Sequence, residues 1–369
     1  MSEAYCYVGC YNGAAEGLHV LGCDVETGAI RNVQTVTGVE GTSYLQVDRA
    51  GRWLYSIVGD EHRRDSKGQV VRFALEGAKI GAMEVLADLP CPAPCYVGLS
   101  PDERYVSFAA YRAGTAGVVA TAGAHGLRSA VLPDEGVGPN RKRQEKAFAH
   151  FTFFTPDGRR MGVINLGCDR IHFFDPETMV EDTAMMVKTD PGDGPRHAVW
   201  SKDRRFLFVL NELGSSVTSY AVTPSPSHPF PLSPFPLFTF SPVGKWSMLP
   251  PDFDRWNPDG ETLATKASAI KLTADGTTLL ASNRGHDSIA IYSVDAEKGT
   301  LTLRNIAKLA GRSPRDFELM PGDRHVVVGY ELDDGIQSYR LDRETCALTP
   351  VGDVVPAWHP VCFKFGPRI

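Results

Sequence analysis

No apolar run in the chain approaches 18 residues, which excludes a membrane-spanning helix. Positive charge is not in surplus. The 38 Lys and Arg stand against 44 Asp and Glu, a formal charge of -6, so nothing marks a nucleic-acid or membrane-surface partner. The opening Met1-Ser2-Glu3-Ala4-Tyr5-Cys6 lacks a basic and then apolar leader. No signal peptide is expected, and the cytoplasm is the expected location. Dinucleotide, P-loop and H-E-x-x-H signatures are missing, as is a G-x-S-x-G elbow. These absences count against nucleotide chemistry, zinc peptidases and the usual serine esterase mechanism. The eight cysteines include two Cys-x3-Cys pairs, Cys6/Cys10 and Cys91/Cys95, without the spacing of a zinc site. Reduced, buried thiols are expected, with no metal and no cofactor. Almost no stretch has a 3.6-residue period, so helices cannot build the fold.

A repeat is present instead. An apolar strand, a D-G-R-like turn and a second apolar strand recur along the chain. The unit is legible at Asp48-Arg49-Ala50-Gly51-Arg52, Pro101-Asp102-Glu103-Arg104, Pro156-Asp157-Gly158-Arg159, Lys202-Asp203-Arg204-Arg205 and Ala274-Asp275-Gly276. A weaker copy is Pro321-Gly322-Asp323-Arg324. Equivalent turn positions are 52, 55, 46, 72 and 47 residues apart. The long interval holds nine prolines between Pro224 and Pro251, read as a Pro-rich surface insertion over about 223–256. Proline cannot donate to a central ladder.

Each copy continues into a third strand, as in Ser288-Ile289-Ala290-Ile291-Tyr292, then a polar turn and a fourth. Four strands per unit is the blade of a β-propeller. Six units are complete. The seventh is expected to join the N-terminal Tyr5-Cys6-Tyr7-Val8-Gly9 to the C-terminal Val361-Cys362-Phe363-Lys364-Phe365. That join removes the open edges of the ring. The expectation is one all-β domain over 1–369, a seven-bladed β-propeller of four antiparallel strands per blade, closed by its two termini.

The repeat also aligns the chain with itself. Seven residues before the turn stand Ser43, Cys95, His150, Arg196, Ser268 and Arg315. Eight and nine residues after it stand Val58-Gly59, Ala110-Tyr111, Asn165-Leu166, Asn211-Glu212, Asn283-Arg284 and Tyr330-Glu331. The first column begins the innermost strand and the second ends its antiparallel partner, so both lie on one face at the channel mouth. A histidine, acids and several arginines converging there supply a general base with binders for an oxyanion or carboxylate. Arginine's planar fork suits an anionic ligand. His197 is expected to pack away from the channel, and His172 to be a satisfied half-buried residue. His62, His125, His228, His286, His325 and His359 show no convergent partners. The run Arg141-Lys142-Arg143 reads as a solvated loop.

Several stretches carry a family resemblance. They are Gly138-Pro139-Asn140 through Arg143-Gln144-Glu145 to Ala149-His150, Gly194-Pro195-Arg196-His197, Asn211-Glu212-Leu213, and Ser282-Asn283-Arg284-Gly285-His286-Asp287. Along essentially its whole length the chain resembles the lactonase family of seven-bladed propellers, which includes bacterial 6-phosphogluconolactonases and a fungal carboxy-cis,cis-muconate cyclising enzyme. The resemblance implies a catalytic set of His150, Arg196, Glu212 and Arg284. Arg315, Asn211, Asn283 and Glu331 are the expected substrate-binding residues. The chain departs from the family's pattern at Lys146-Ala147-Phe148, where a second histidine often stands, and at Lys271.

The expected partner is a small anionic lactone, opened with Glu212, with or through His150, taking a proton from water. Arg196 and Arg284 would hold the developing oxyanion. The alternatives are a muconate-type lactonising cycloisomerase and a propeller that binds without turnover.

Overall fold

A left-handed residue closes the turn between first and second strands in six repeats. Gly51, Glu103, Gly158, Arg204, Gly276 and Asp323 have φ between 57° and 79°. Each donates its N–H to the carbonyl three residues earlier. In four blades the turn aspartate accepts the hydroxyl two residues before it. Asp102, Asp157, Asp203 and Asp275 bind Ser100, Thr155, Ser201 and Thr273 at 2.6–2.7 Å. The motif is therefore local hairpin chemistry, in which short polar side chains complete a backbone turn.

The computed structural model describes residues 3–11, 16–59, 67–123, 126–133, 138–224 and 238–367. They form seven four-stranded antiparallel sheets in a ring, as expected. Blade one joins the C-terminal strand Pro360–Phe365 to the N-terminal strand Glu3–Cys10, with Val8 opposite Phe363. The innermost strands that matter below are Ala149–Phe154 of blade four, Pro195–Trp200 of blade five, Lys266–Leu272 of blade six and Pro314–Leu319 of blade seven. Every blade contributes a fully buried aromatic between sheets: Phe363, Phe73, Phe108, Phe173, Phe208, Tyr292 and Phe317. Each such side chain stabilises the stack by about 1.5–3 kcal/mol. All eight cysteines are free. No helix among the described residues is long and apolar enough to cross a membrane.

The Pro-rich stretch needs correction. Part of it, 225–237, lies outside the described residues, as do His62, His125 and His228. The rest is not one surface connection. Phe238–Ser247 is the outermost strand of blade five, paired antiparallel with Ser216–Pro224. Pro242 is accommodated because this strand is an edge and the ladder shifts register beside it. Residues 248–265 then connect it to blade six.

Candidate active site

Both columns meet at one mouth of the channel, for a reason absent from the simple strand pattern. In blades four, five and seven the column residue is an extra residue in its ladder. The register steps from Ala149 to Phe151, from Pro195 to His197 and from Pro314 to Asp316. His150, Arg196 and Arg315 are thus the bulged residues of their strands. A bulge kinks the strand and re-aims its side chain, a device common beside active sites. Blade six shifts likewise between Ala267 and Ile270, around Ser268.

The mouth holds a cavity of about 230 Å³ lined by His150, Glu212, Arg284, Arg315 and Glu331 among others. Arg196 lies in a smaller recess that also touches Arg315 and Cys95. Glu212, 2% exposed, is the hub. Its Oε1 pairs with Arg143 at 2.6 Å. Its Oε2 lies 2.9 Å from Arg196 Nε and 3.1 Å from Arg284 Nη2. Burial alone would push this carboxyl up, but Arg143, Arg284 and Arg196 together hold it well below the usual carboxylate range.

His150 is moved the other way from a typical acid–base histidine. Burial comes first, then the neighbouring guanidinium of Arg196; both drive its pKa well below the ordinary value, against the pull of Glu212. It is a neutral imidazole at pH 7. Its Nδ1 is buried without a hydrogen-bond partner among the described residues. Tyr111 sits edge-on at 5.5 Å and is stacked on Phe148. Burial pulls Arg284 down to about 10, still protonated at neutral pH. Glu331 accepts from Ser313 at 2.8 Å and lies 3.8 Å from Arg315, whose guanidinium covers the Tyr11 ring.

Two expectations about binding residues are corrected. Asn211 and Asn283 do not line the cavity. Asn211 Nδ2 donates to Ser216 and Thr218, and Asn283 Nδ2 donates to the Met248 carbonyl. Both are fully buried and tie the second strand to its surroundings. Arg143 is the converse case. It leaves the supposed solvated run, reaches Glu212 and donates to Tyr111 Oη at 3.3 Å. Lys266, the register partner of Arg284, also faces the cavity. Burial and then Arg284 lower its pKa. Sequence offered two signals for these residues: Arg143 lies in the stretch leading to His150, and Tyr111 already stood in the second column.

His197 also departs from expectation. Strict alternation sends it away from the channel, but the bulge at Arg196 turns both residues inward. It packs 5.3 Å below His150 among Tyr44, Tyr96 and Phe151. Arg196 Nη1 is 3.1 Å from its Nε2 and also donates to the Ser268 carbonyl. His172 is fully buried, bound to Glu181 at 2.7 Å and beside Asn165.

In total, Arg112, Arg143, Arg284, Arg315 and Lys266 line the mouth against Glu212 and Glu331, and the recess beneath adds Arg196 and Asp316. A small cleft with this imbalance takes an anion. Among the described residues no group of three or more His, Cys, Asp or Glu converges to hold a metal.

A family model described as "Lactonase, 7-bladed beta-propeller" matches residues 5–365. The chain belongs to this lactonase family. A curated member, the 6-phosphogluconolactonase of Bacillus subtilis, is 27% identical over 370 residues and covers 99% of each chain. A crystal structure of a Lactobacillus plantarum protein superposes with a TM-score of 0.82 at 26% identity, over 98% of this chain and 99% of that one. The periplasmic gluconolactonase of Pseudomonas aeruginosa shares the fold, with a TM-score of 0.83 at 23% identity and 99% coverage of both. Within this lactonase scaffold, the residues that break the internal repeat are those that build the cationic cavity.

Proposed function

We propose that this lactonase hydrolyses an anionic sugar-acid lactone, 6-phosphogluconolactone or a related aldonic, uronic or aldaric lactone. The observation that carries the reading is a neutral histidine inside a cavity with a large cationic surplus. The name of the Bacillus subtilis relative supports the phosphorylated substrate.

The division of labour follows from the electrostatics. Glu212 is saturated by three guanidinium groups and is a weak proton acceptor; it holds Arg143, Arg196 and Arg284 in place. His150 is free to take a proton from a water attacking the ring carbonyl. Negative charge that develops on the carbonyl oxygen is met by Arg284 and Arg196, in a site needing little reorganisation. The remaining cations, Arg112, Arg143, Arg315 and Lys266, bind the substrate's own phosphate or carboxylate. A cytoplasmic location goes with this reading.

The test is a lactone panel: 6-phosphogluconolactone, glucono-1,5-lactone and a uronic lactone, followed by acid release above the spontaneous rate. Hydrolysis of an anionic member at much higher kcat/KM than the neutral one is expected. A preference for the neutral lactone, or no hydrolysis of any, refutes the proposal.

A further inference from the structure

A second cavity opens on the same face of the disc, outward from the first. It has a volume of about 580 Å³, larger than the catalytic cavity. Only the turn after Asn211 separates them: Glu212 lines one, Leu213 and Gly214 the other. The loop before blade four also serves both, giving Asn140 to the outer cavity and Arg143 to the inner. Lys142 bridges to Glu261 at 2.7 Å, tying that loop to the 248–265 connection that brings Arg255 and Trp256 to the outer wall.

The two cavities have opposite electrostatics. Charge in the outer one is balanced. Lys245 pairs with Asp190 at 2.6 Å and Asp193 at 2.8 Å, and Arg255 is the fourth charged residue of the lining. Around them stand the Asn140 amide, the hydroxyls of Ser216 and Ser247, and the indole of Trp256. Asp193 Oδ2 is buried without a hydrogen-bond partner among the described residues. Arg255 rests over Trp256, 5.5 Å from the ring centroid. An aromatic face with a polar handle, paired carboxylates and an open carboxylate acceptor on a neutral wall suits a ligand rich in hydroxyls and without net charge. Such a ligand lays its C–H face on the indole and shares hydroxyl protons with Asp190 and Asp193. An anion gains nothing here and is drawn to the neighbouring cavity.

We infer that this outer cavity is a second binding site, for a neutral sugar or polyol, separate from the cationic lactone site. The inference does not depend on which lactone is hydrolysed.

Saturation-transfer NMR on the full chain tests it, with glucose, maltose and glycerol as neutral probes, gluconate as the anionic control and putrescine as the cationic one. Saturable binding of a neutral probe is expected, weakened about tenfold or more in Trp256→Ala, the size expected for losing one stacking face. Asn140→Ala should weaken it too. Glu212→Gln should leave it unchanged, since that residue faces the other cavity. Lactone hydrolysis in Trp256→Ala should stay near the parent rate and report an intact fold. Absence of saturable binding by any neutral probe overturns the inference. So does binding that survives Trp256→Ala but is lost in Glu212→Gln, which would put the sugar in the central cavity. A response to putrescine alone overturns the assignment of a neutral ligand.

Discussion

Glu212→Gln isolates the charge of the hub at almost constant shape. In the parent, one buried carboxylate meets Arg143, Arg196 and Arg284 at 2.6, 2.9 and 3.1 Å. The amide removes the counter-charge and leaves guanidinium groups buried beside one another. Removing one partner from a buried ion pair costs about 3–5 kcal/mol. A chain of this length unfolds with an entropy near ~0.8 kcal/mol/K, so the melting temperature should drop by about 4–6 °C. Anion affinity should move the opposite way. The cavity gains one positive charge, and a unit charge about 5 Å away at an effective dielectric near 20 is worth about 3 kcal/mol before salt screening. Even half of that tightens inorganic phosphate by about tenfold. Phosphate should therefore raise the melting temperature of Glu212→Gln more than that of the parent. The assay is a thermal melt of both proteins across a phosphate titration at constant ionic strength, beside lactone turnover. Turnover should fall on the order of 100-fold or more, because Arg196 and Arg284 lose their anchor. If the variant melts with the parent and phosphate shifts both equally, the carboxylate is not the counter-charge of the cluster and the electrostatic account fails.

His150→Ala should remove most turnover, by about 100- to 10,000-fold, while leaving phosphate binding intact; equal loss of both would make it a binder instead of a base. The pH dependence has a definite sign. Burial and Arg196 lower His150 in the folded state, and burial lowers His197, so the unfolded chain binds more protons below about pH 6.5. Stability should be fully present above that pH and fall as the solution is acidified towards the folded-state values. Melts from pH 7.5 to 5 check this, and His150→Asn should show a shallower drop. Arg143→Gln should raise KM for an anionic lactone by about tenfold or more, with a smaller effect on kcat; an unchanged KM would return Arg143 to the solvent. Gly285→Ala should destabilise by about 1–3 kcal/mol and lower turnover, because φ is +90° and a Cβ would meet the Ala264 carbonyl directly beside Arg284.

The legible part of the site came from comparing the chain with itself. His150, Glu212, Arg284, Arg315 and Glu331 all stood in columns fixed by the turn, and the structure gathers them at one cavity. Asn211 and Asn283 stood in the same columns but face inward, where buried amides must satisfy hydroxyl and carbonyl partners. Period-two reasoning missed His197 because a bulge adds one residue and breaks the alternation. Arg143 was read as solvated because its partner is 69 residues away in sequence.

Local chemistry is written in the chain. A left-handed turn position flanked by short polar side chains and apolar strands repeats often enough to close a ring, and its period fixes which residues reach the channel mouth. Tertiary structure decided what those residues do to one another. Only the closed ring brings Arg143, Arg196 and Arg284 around Glu212, where their combined field keeps that buried acid ionised, and only burial in the ring, with Arg196 beside it, keeps the neighbouring histidine neutral.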